Sequence, residues 1–508
     1  MNEGSQLDTS QNSDPMFLLC SFLFWFDSAT EQLSQLEARS QYSLCLLQLI
    51  AMPSITDPSL KLSAATAFKN FVLRLWSYEG SERQEKGQPD GISESDRQLI
   101  KQHIIPLMVT QPKSIQSQLG HALAIISRHD FPDKWTTLLP ELVGRFKEAD
   151  NKPEELVGIL EVMNSIFYRY RSEMKSQKLW EEIAVVLKEV ADPLSELFLR
   201  WAARISESQH AQNAQTLPII VNILSLVIEN FYSLNSQDIA AQFEDEQVKN
   251  MWFKGMLELL KYSNPILDAR QPGMDADDPT RLDVLKSTIC DIVNLWVWKY
   301  EDQFANWVQP FVETIWNLLT TLTEHKRYDH LVNSSIKFLT SVVKKEHTKH
   351  LFGNEQALKM ICEKVIIPQL KLRDTDLEIF EFNPQDYIRM DIEGSDVDTR
   401  RRTSVDFIHG LTLHFESQIS AILKAYVEML LAEYAKNKKS EKGFLAKDAA
   451  MYIIIALSAK STSNWDTVSA RAWKASCHHL LGMSTHFFSR EWIYLFVCVF
   501  VFPRIFQH

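Results

Sequence analysis

Cys477-His478-His479 with His486 brings together thiol and imidazole groups, the side chains that ligate zinc. Their spacing fits no familiar zinc site, so no metal is expected. Nucleotide hydrolysis lacks its phosphate cradle, because no G-x-x-x-x-G-K-[ST] occurs and no G-x-G-x-x-G follows a strand; H-E-x-x-H is also absent. Asn333-Ser334-Ser335 forms a glycosylation sequon, but it sits in a helical stretch of a chain expected to be intracellular. Lys436–Lys442 (KNKKSEK) has the composition of a short nuclear localisation signal and reads better as a solvated loop between helices. These residues supply no catalytic set and no cofactor site, and the chain is not expected to be an enzyme.

Binding chemistry is richer. Between Asp374 and Asp398 stand nine carboxylates (Asp374, Asp376, Glu378, Glu381, Asp386, Asp391, Glu393, Asp396 and Asp398) against one base, Arg389. The sign then reverses at Arg400-Arg401-Arg402, where a helix is expected to begin. Phe380, Phe382, Tyr387 and Ile388 are interleaved with the acids. A solvated, non-helical insertion would explain the acids, but it gains little from four large apolar side chains. An acidic loop with aromatic anchors suits the clasping of a basic partner: charge speeds encounter and the aromatics supply buried area. A second candidate is the helix Leu60–Trp76, where Asn70 and Arg74 share a face at i,i+4 with Lys69 nearby, opposite a phenylalanine stripe. On residue types alone, that face is an ordinary polar helix surface.

The elements that must position these groups are helices. Only 14 glycines occur in 508 residues, under half of the roughly 7% average usage, and helix formers fill long stretches. Leu282, Leu285, Ile289, Ile292, Val293 and Trp296 recur at helical spacing. So do Phe68, Phe71, Val72 and Leu75, and again Leu331, Ile336, Leu339, Val342 and Val343. No segment alternates with period two. Asp57-Pro58-Ser59, Ser93–Asp96, Asp133-Lys134 and Asp398-Thr399 place capping side chains before periodic runs, and Pro112, Pro132, Pro153 and Pro193 fall near expected helix edges. From Asp27 to about Lys460 helix pairs recur every ~40–50 residues, the HEAT or armadillo period. The expected fold is all-α: a right-handed α-α superhelix of about nine helix pairs, a HEAT/armadillo-like solenoid.

Charge, cysteines and apolar runs narrow the function. A formal charge of −12 argues against a nucleic-acid partner, which needs a basic face. Six scattered cysteines without a CxxC pair suit a reduced intracellular protein. Met16–Phe26 and Trp492–Phe502 are apolar runs of 11 residues, short of the ~20 that cross a bilayer, and no membrane insertion is expected. The acids Glu3, Asp8 and Asp14 ahead of the first run are wrong for a secretory leader. Residues 1–27 and 461–508 lose the repeat pattern and are expected to be atypical ends.

LSAATAFKNFVLRLW and the following SDRQLIKQHIIPLMVTQPKSIQSQLGHALAIISRHDFPDKWTTLLPELVGRF resemble the N-terminal part of the importin-β superfamily. SIFYRYRSEMKSQKLWEEI, YDHLVNSSIKFLTSVV and ICEKVIIPQLKLRDTDLEIFEFNPQDYIRMDIEGSDVDTRRR are similar to the CAS-type exportins within it, over roughly residues 28–460. The resemblance implies HEAT repeats over 28–145 that bind Ran, and further repeats over 146–460 with the acidic insertion at 374–402. It implies a receptor shuttling between nucleus and cytoplasm, transiently at the nuclear envelope, that binds importin-α together with Ran in its GTP state. Nucleoporins are implied as further partners. Carried over, the Ran contacts fall on Lys69, Asn70, Arg74, Trp76, Asp130 and Lys134. The insertion's contacts with Ran and importin-α fall on Asp386, Asp391, Glu393, Asp396, Asp398, Arg400, Arg401 and Arg402. Members of the family are about twice this length, so the chain corresponds to the front half of their solenoid. The competing expectations are a HEAT scaffold indifferent to Ran and a truncated fragment that does not export.

Overall fold

A computed structural model describes residues 37, 41–77, 92–149, 152–239, 241–268, 275–393 and 398–458. The terminal segments 1–27 and 461–508, with their apolar runs and the Cys477 group, lie outside these residues, as does Asp396. The described residues are helical and contain no strand, in agreement with the expected all-α class. Two compact units emerge, Met1–Leu194 with Ser233–Ala240 and Ser195–Tyr232 with Ala241–His508.

The first unit opens with helices α1 (Tyr42–Ala51), α2 (Pro58–Leu75), α3 (Glu94–Thr110), α4 (Lys113–Asp130), α5 (Leu138–Glu148) and α6 (Pro153–Phe167). They pair as α1–α2, α3–α4 and α5–α6. Helices α2, α4 and α6 pack side by side in one layer and α1 lies against α3 in the other. Such stacking buries each apolar stripe on its neighbours. Phe68 and Val72 of α2 are fully buried, with Phe71 and Leu75 nearly so. Asp57 caps α2 through Ser59 N (2.9 Å) and Ser93 caps α3 through Asp96 N (3.2 Å), as their positions predict. Asp133-Lys134 starts no helix; α5 begins at Leu138 behind Thr137, whose side chain does not cap it.

Close packing leaves little slack between α3 and α6. A Cβ at Gly158 would stand 2.9 Å from the Val109 carbonyl oxygen and 3.1 Å from its Cα. Backbone cannot rotate away as a side chain can. Gly158→Ala is therefore expected to destabilise by about 1–3 kcal/mol, seen as a lower urea midpoint; an unchanged midpoint would contradict this α3–α6 contact.

Helices α7 (Gln177–Arg204) and α8 (Thr216–Asn235) follow. Pro193, expected at a helix edge, lies inside α7, whereas Pro112 and Pro153 do open α4 and α6. The most apolar stretch of α8 is long enough to cross a membrane, with mean hydropathy 1.6, yet 72% of it is buried like a core helix. The second unit continues with α9 (Glu246–Lys261), α10 (Arg281–Lys299), α11 (Glu301–Thr321) and α12 (Asp329–Lys344). Then come α13 (Glu355–Ile361), which runs through a π turn to Leu370, α14 (Asp374–Phe382), α15 (Arg400–Lys436) and α16 (Glu441–Ser458). Helices α10, α12 and α15 form one layer, and α9 and α11 pack beside them. Trp252 of α9 is stacked between Phe198 and Phe231, each with ring centroids 4.2 Å away. The predicted stripes of α10 and α12 are buried throughout. Lys436–Lys442 ends α15 and opens α16, with its lysines exposed.

Candidate functional site

Helix α2 presents the first candidate surface. Its outer face carries exposed Asn70 and Arg74 and half-buried Lys69, with Leu73 also exposed. Arg74 reaches Glu37 across 2.7 Å, an exposed pair worth little to stability but able to orient the guanidinium. Lys134 is exposed as well.

Trp76 and Asp130 do not belong to that surface. Trp76 is fully buried; the Arg97 guanidinium lies 4.7 Å from its ring centroid and donates to its carbonyl (2.7 Å). Asp130, 1% exposed, pairs at 2.7 Å with Lys101, which also donates to the Lys134 carbonyl (3.0 Å). Trp76 ties the end of α2 to α3, Asp130 ties the end of α4 to α3, and neither side chain faces solvent.

The acidic segment was expected as a non-helical loop, and here the structure differs. It folds as α14, a one-turn helix Pro384–Tyr387 and a π-helical stretch Ile388–Glu393. Arg373 makes this possible: at the N-cap of α14 it donates its backbone N–H and Nε to Asp376 (3.0 and 3.1 Å) and grips Asp329 of α12 through two further donors (2.7 and 3.0 Å). Phe380 and Tyr387 are buried with Leu372 in a small core of their own, their rings edge to face at 5.4 Å. Two of the four expected anchors therefore fold the insertion itself. Phe382, 97% exposed, is the aromatic left facing outward.

The arginines were expected as partner contacts; two of the three are interior. Arg400, 4% exposed, donates to Asp329 (2.6 Å), Gln369 Oε1 (2.9 Å) and the His325 carbonyl (2.8 Å). Arg401, 5% exposed, donates to Asp448 of α16 (2.8 Å) and to the Tyr387 hydroxyl (2.9 Å). Asp391 lies 3.4 Å away, and the Tyr452 ring lies 3.8 Å from the guanidinium. Asp391, likewise buried, accepts from Tyr387 (3.1 Å) and Thr399 (2.9 Å). A cavity of ≈ 50 Å³ beside this hub is lined by Arg373, Arg400 and Arg401 among others; it is room for water. Burial raises the Asp448 carboxyl from 3.8 to about 6, with Arg401 opposing the shift only in part.

Outward-facing groups remain. Asp374, Glu378, Glu381 and Phe382 occupy i, i+4, i+7 and i+8 of α14, one face, and all are exposed. Asp386 is exposed, and Asp398 pairs with Lys337 at the surface while Thr399 caps α15 through Arg402 N (3.2 Å). The side chain of Glu393 lies outside the described residues. Asp329, Arg373, Asp448 and Tyr452 escaped the sequence reading, although Asp448 and Tyr452, at i,i+4 in the mostly apolar C-terminal part of α16, carried a signal. Among the described residues no cluster of His, Cys, Asp or Glu could hold a metal. Cys290 and Cys362 are buried and Cys45 is exposed.

Two family models match the chain: the importin-beta N-terminal domain over residues 29–110 and Cse1 over residues 166–473. Exportin-2 of Oreochromis niloticus is 40% identical over 434 residues, covering 85% of this chain and 42% of the relative. Exportin-2 of Homo sapiens is 40% identical over 433 residues with the same coverage. The solved exportin Cse1 in its cargo-free, cytoplasmic state superposes with a TM-score of 0.80 at 31% identity, covering 94% of this chain and 51% of that one. Lph2, a bidirectional nuclear transport receptor of S. cerevisiae, reaches 0.52 at 14% identity and shares the fold. The chain thus spans about half the length, or less, of these proteins.

Proposed function

The chain belongs to the Cse1 family, and from that premise we propose that it acts as a nuclear export receptor that binds Ran in its GTP state and carries importin-α. The observation that carries this reading is the family match over residues 166–473, which contains the arginine-anchored acidic insertion. In this reading the receptor catalyses nothing; it couples two binding equilibria, so Ran·GTP and importin-α each tighten the other.

Two surfaces support it. Lys69, Asn70, Arg74 and Lys134 offer Ran a polar, basic N-terminal face. Asp386, Asp398 and Arg402, with the outward stripe of α14, offer the insertion's contact to Ran and importin-α. Trp76, Asp130, Asp391, Arg400 and Arg401 act indirectly, by holding these faces in place. Nucleoporins and shuttling between nucleus and cytoplasm follow from the same reading.

Reversing Asp374, Glu378 and Glu381 to lysine together with Phe382→Ala tests the insertion's part. These side chains are exposed, so each change should move stability by no more than about 0.5 kcal/mol. Affinity for importin-α in the presence of Ran·GTP should fall roughly tenfold or more, measured by titration calorimetry. A variant that binds as the parent does would remove the insertion from the interface.

A further inference from the structure

A second feature of the first unit has no part in that reading. The turn joining α6 to α7, with the first turn of α7, presents large apolar side chains to solvent: Tyr168 is 59% exposed, Met174 87% and Trp180 40%. Behind it the turn is clamped. Glu182, 3% exposed, accepts from the Tyr170 hydroxyl (2.6 Å) and from Arg169, which also holds Glu173 (2.5 Å). Gln237 donates to the carbonyls of Tyr170 (2.6 Å) and Glu173 (2.9 Å). A turn fixed by so many buried polar contacts presents its outer side chains at little further entropic cost, the preorganisation that favours binding.

The outer side chains carry cations. The Arg171 guanidinium lies 4.7 Å from the centroid of the Tyr168 ring, and Lys175 Nζ lies 5.9 Å from that of Trp180. Lys178, in the first turn of α7, is exposed. Neither Lys175 nor Lys178 forms an ion pair among the described residues. On a chain of formal charge −12, this is a local reversal of sign around exposed apolar surface.

We propose that the α6–α7 turn is a docking surface for an acidic peptide segment, whose carboxylates meet Arg171, Lys175 and Lys178 while an apolar side chain covers Met174 and Trp180. Charge complementarity selects the acidic segment, and the exposed methionine and indole supply the buried area that anchors it. Stacking aromatics among cations also suit single-stranded nucleic acid. Against that, Glu173 and Glu181 interrupt the cations, and the tract is far too short to follow a phosphate backbone through an acidic protein.

The test uses the full chain and a panel of labelled 15-residue peptides, each with four Asp or Glu and two of Phe, Leu or Met at varied spacing. A panel with lysine replacing the acids and a 15-nucleotide oligouridylate serve as counter-probes. Fluorescence anisotropy is read against the parent, K175E/K178E and M174S/W180A. The acidic panel should contain binders that weaken at least roughly tenfold on both variants and weaken with added salt. Equal binding of the lysine panel, tighter binding of oligouridylate, or no acidic peptide that distinguishes the parent from K175E/K178E would each overturn the proposal. The substituted lysines and Met174 are surface groups, and coincident urea transitions will show that the variants are folded.

Discussion

Arg401→Met should destabilise the second unit by about 3–5 kcal/mol, the range for removing one partner of a buried ion pair. The parent guanidinium serves Asp448, Asp391, the Tyr387 hydroxyl and the face of Tyr452. Methionine fills the volume but leaves two buried carboxylates without their cation. The loss should be read in urea unfolding as a lower midpoint at unchanged slope. Its pH dependence gives a second reading. The Asp448 carboxyl is already raised from 3.8 to about 6 by burial, so between those values the folded state binds more protons than the unfolded one. Stability contributed by this group therefore increases as pH falls from above 6 towards 4. Without Arg401 the upward shift grows, and the variant should recover more stability on acidification than the parent. A variant whose deficit is the same at pH 7 and pH 5 would contradict this assignment.

Lys101→Met is the counterpart in the first unit. Its ammonium, 3% exposed, holds Asp130 at 2.7 Å and the carbonyl of Lys134 at 3.0 Å, tying the end of α4 to α3. Removing it takes the cation away from a buried carboxylate and the donor away from the Lys134 carbonyl, again at about 3–5 kcal/mol. Asp130→Ala breaks the same pair from the other side. If Asp130 were a direct contact for a partner, its substitution would weaken binding where Lys101→Met did not. Because the pair is internal, the two variants should lose binding in parallel with stability.

The contrast between these buried pairs and the outward stripe shows which parts of the site were legible in the sequence. Periodicity gave the helices, and the apolar positions of α2, α10 and α12 lie in the core as expected. Capping chemistry placed the starts of α2 and α3, because the acceptor and the amide it satisfies are neighbours in the chain. The acidic insertion was visible as a run of like charge followed by arginines. Its helical form was not, because it depends on Arg373 and Asp329, which are 44 residues apart. The same holds for Arg401 and Asp448, 47 residues apart. Local charge shows that ions are present; only tertiary packing decides which are neutralised inside and which face a partner. Phe380 and Phe382 make the point at two-residue separation, one buried at 6% and the other exposed at 97%.

The assignment of a nucleotide-dependent transport receptor meets its most direct test in one capture experiment. The full chain, immobilised, is offered Ran loaded with a non-hydrolysable GTP analogue or with GDP, with and without importin-α. The account predicts retention of Ran in its GTP form alone, and more importin-α retained when that form is present than when it is absent. Equal retention of both nucleotide states, with importin-α indifferent to Ran, would contradict it and leave a protein-binding scaffold built on the same fold.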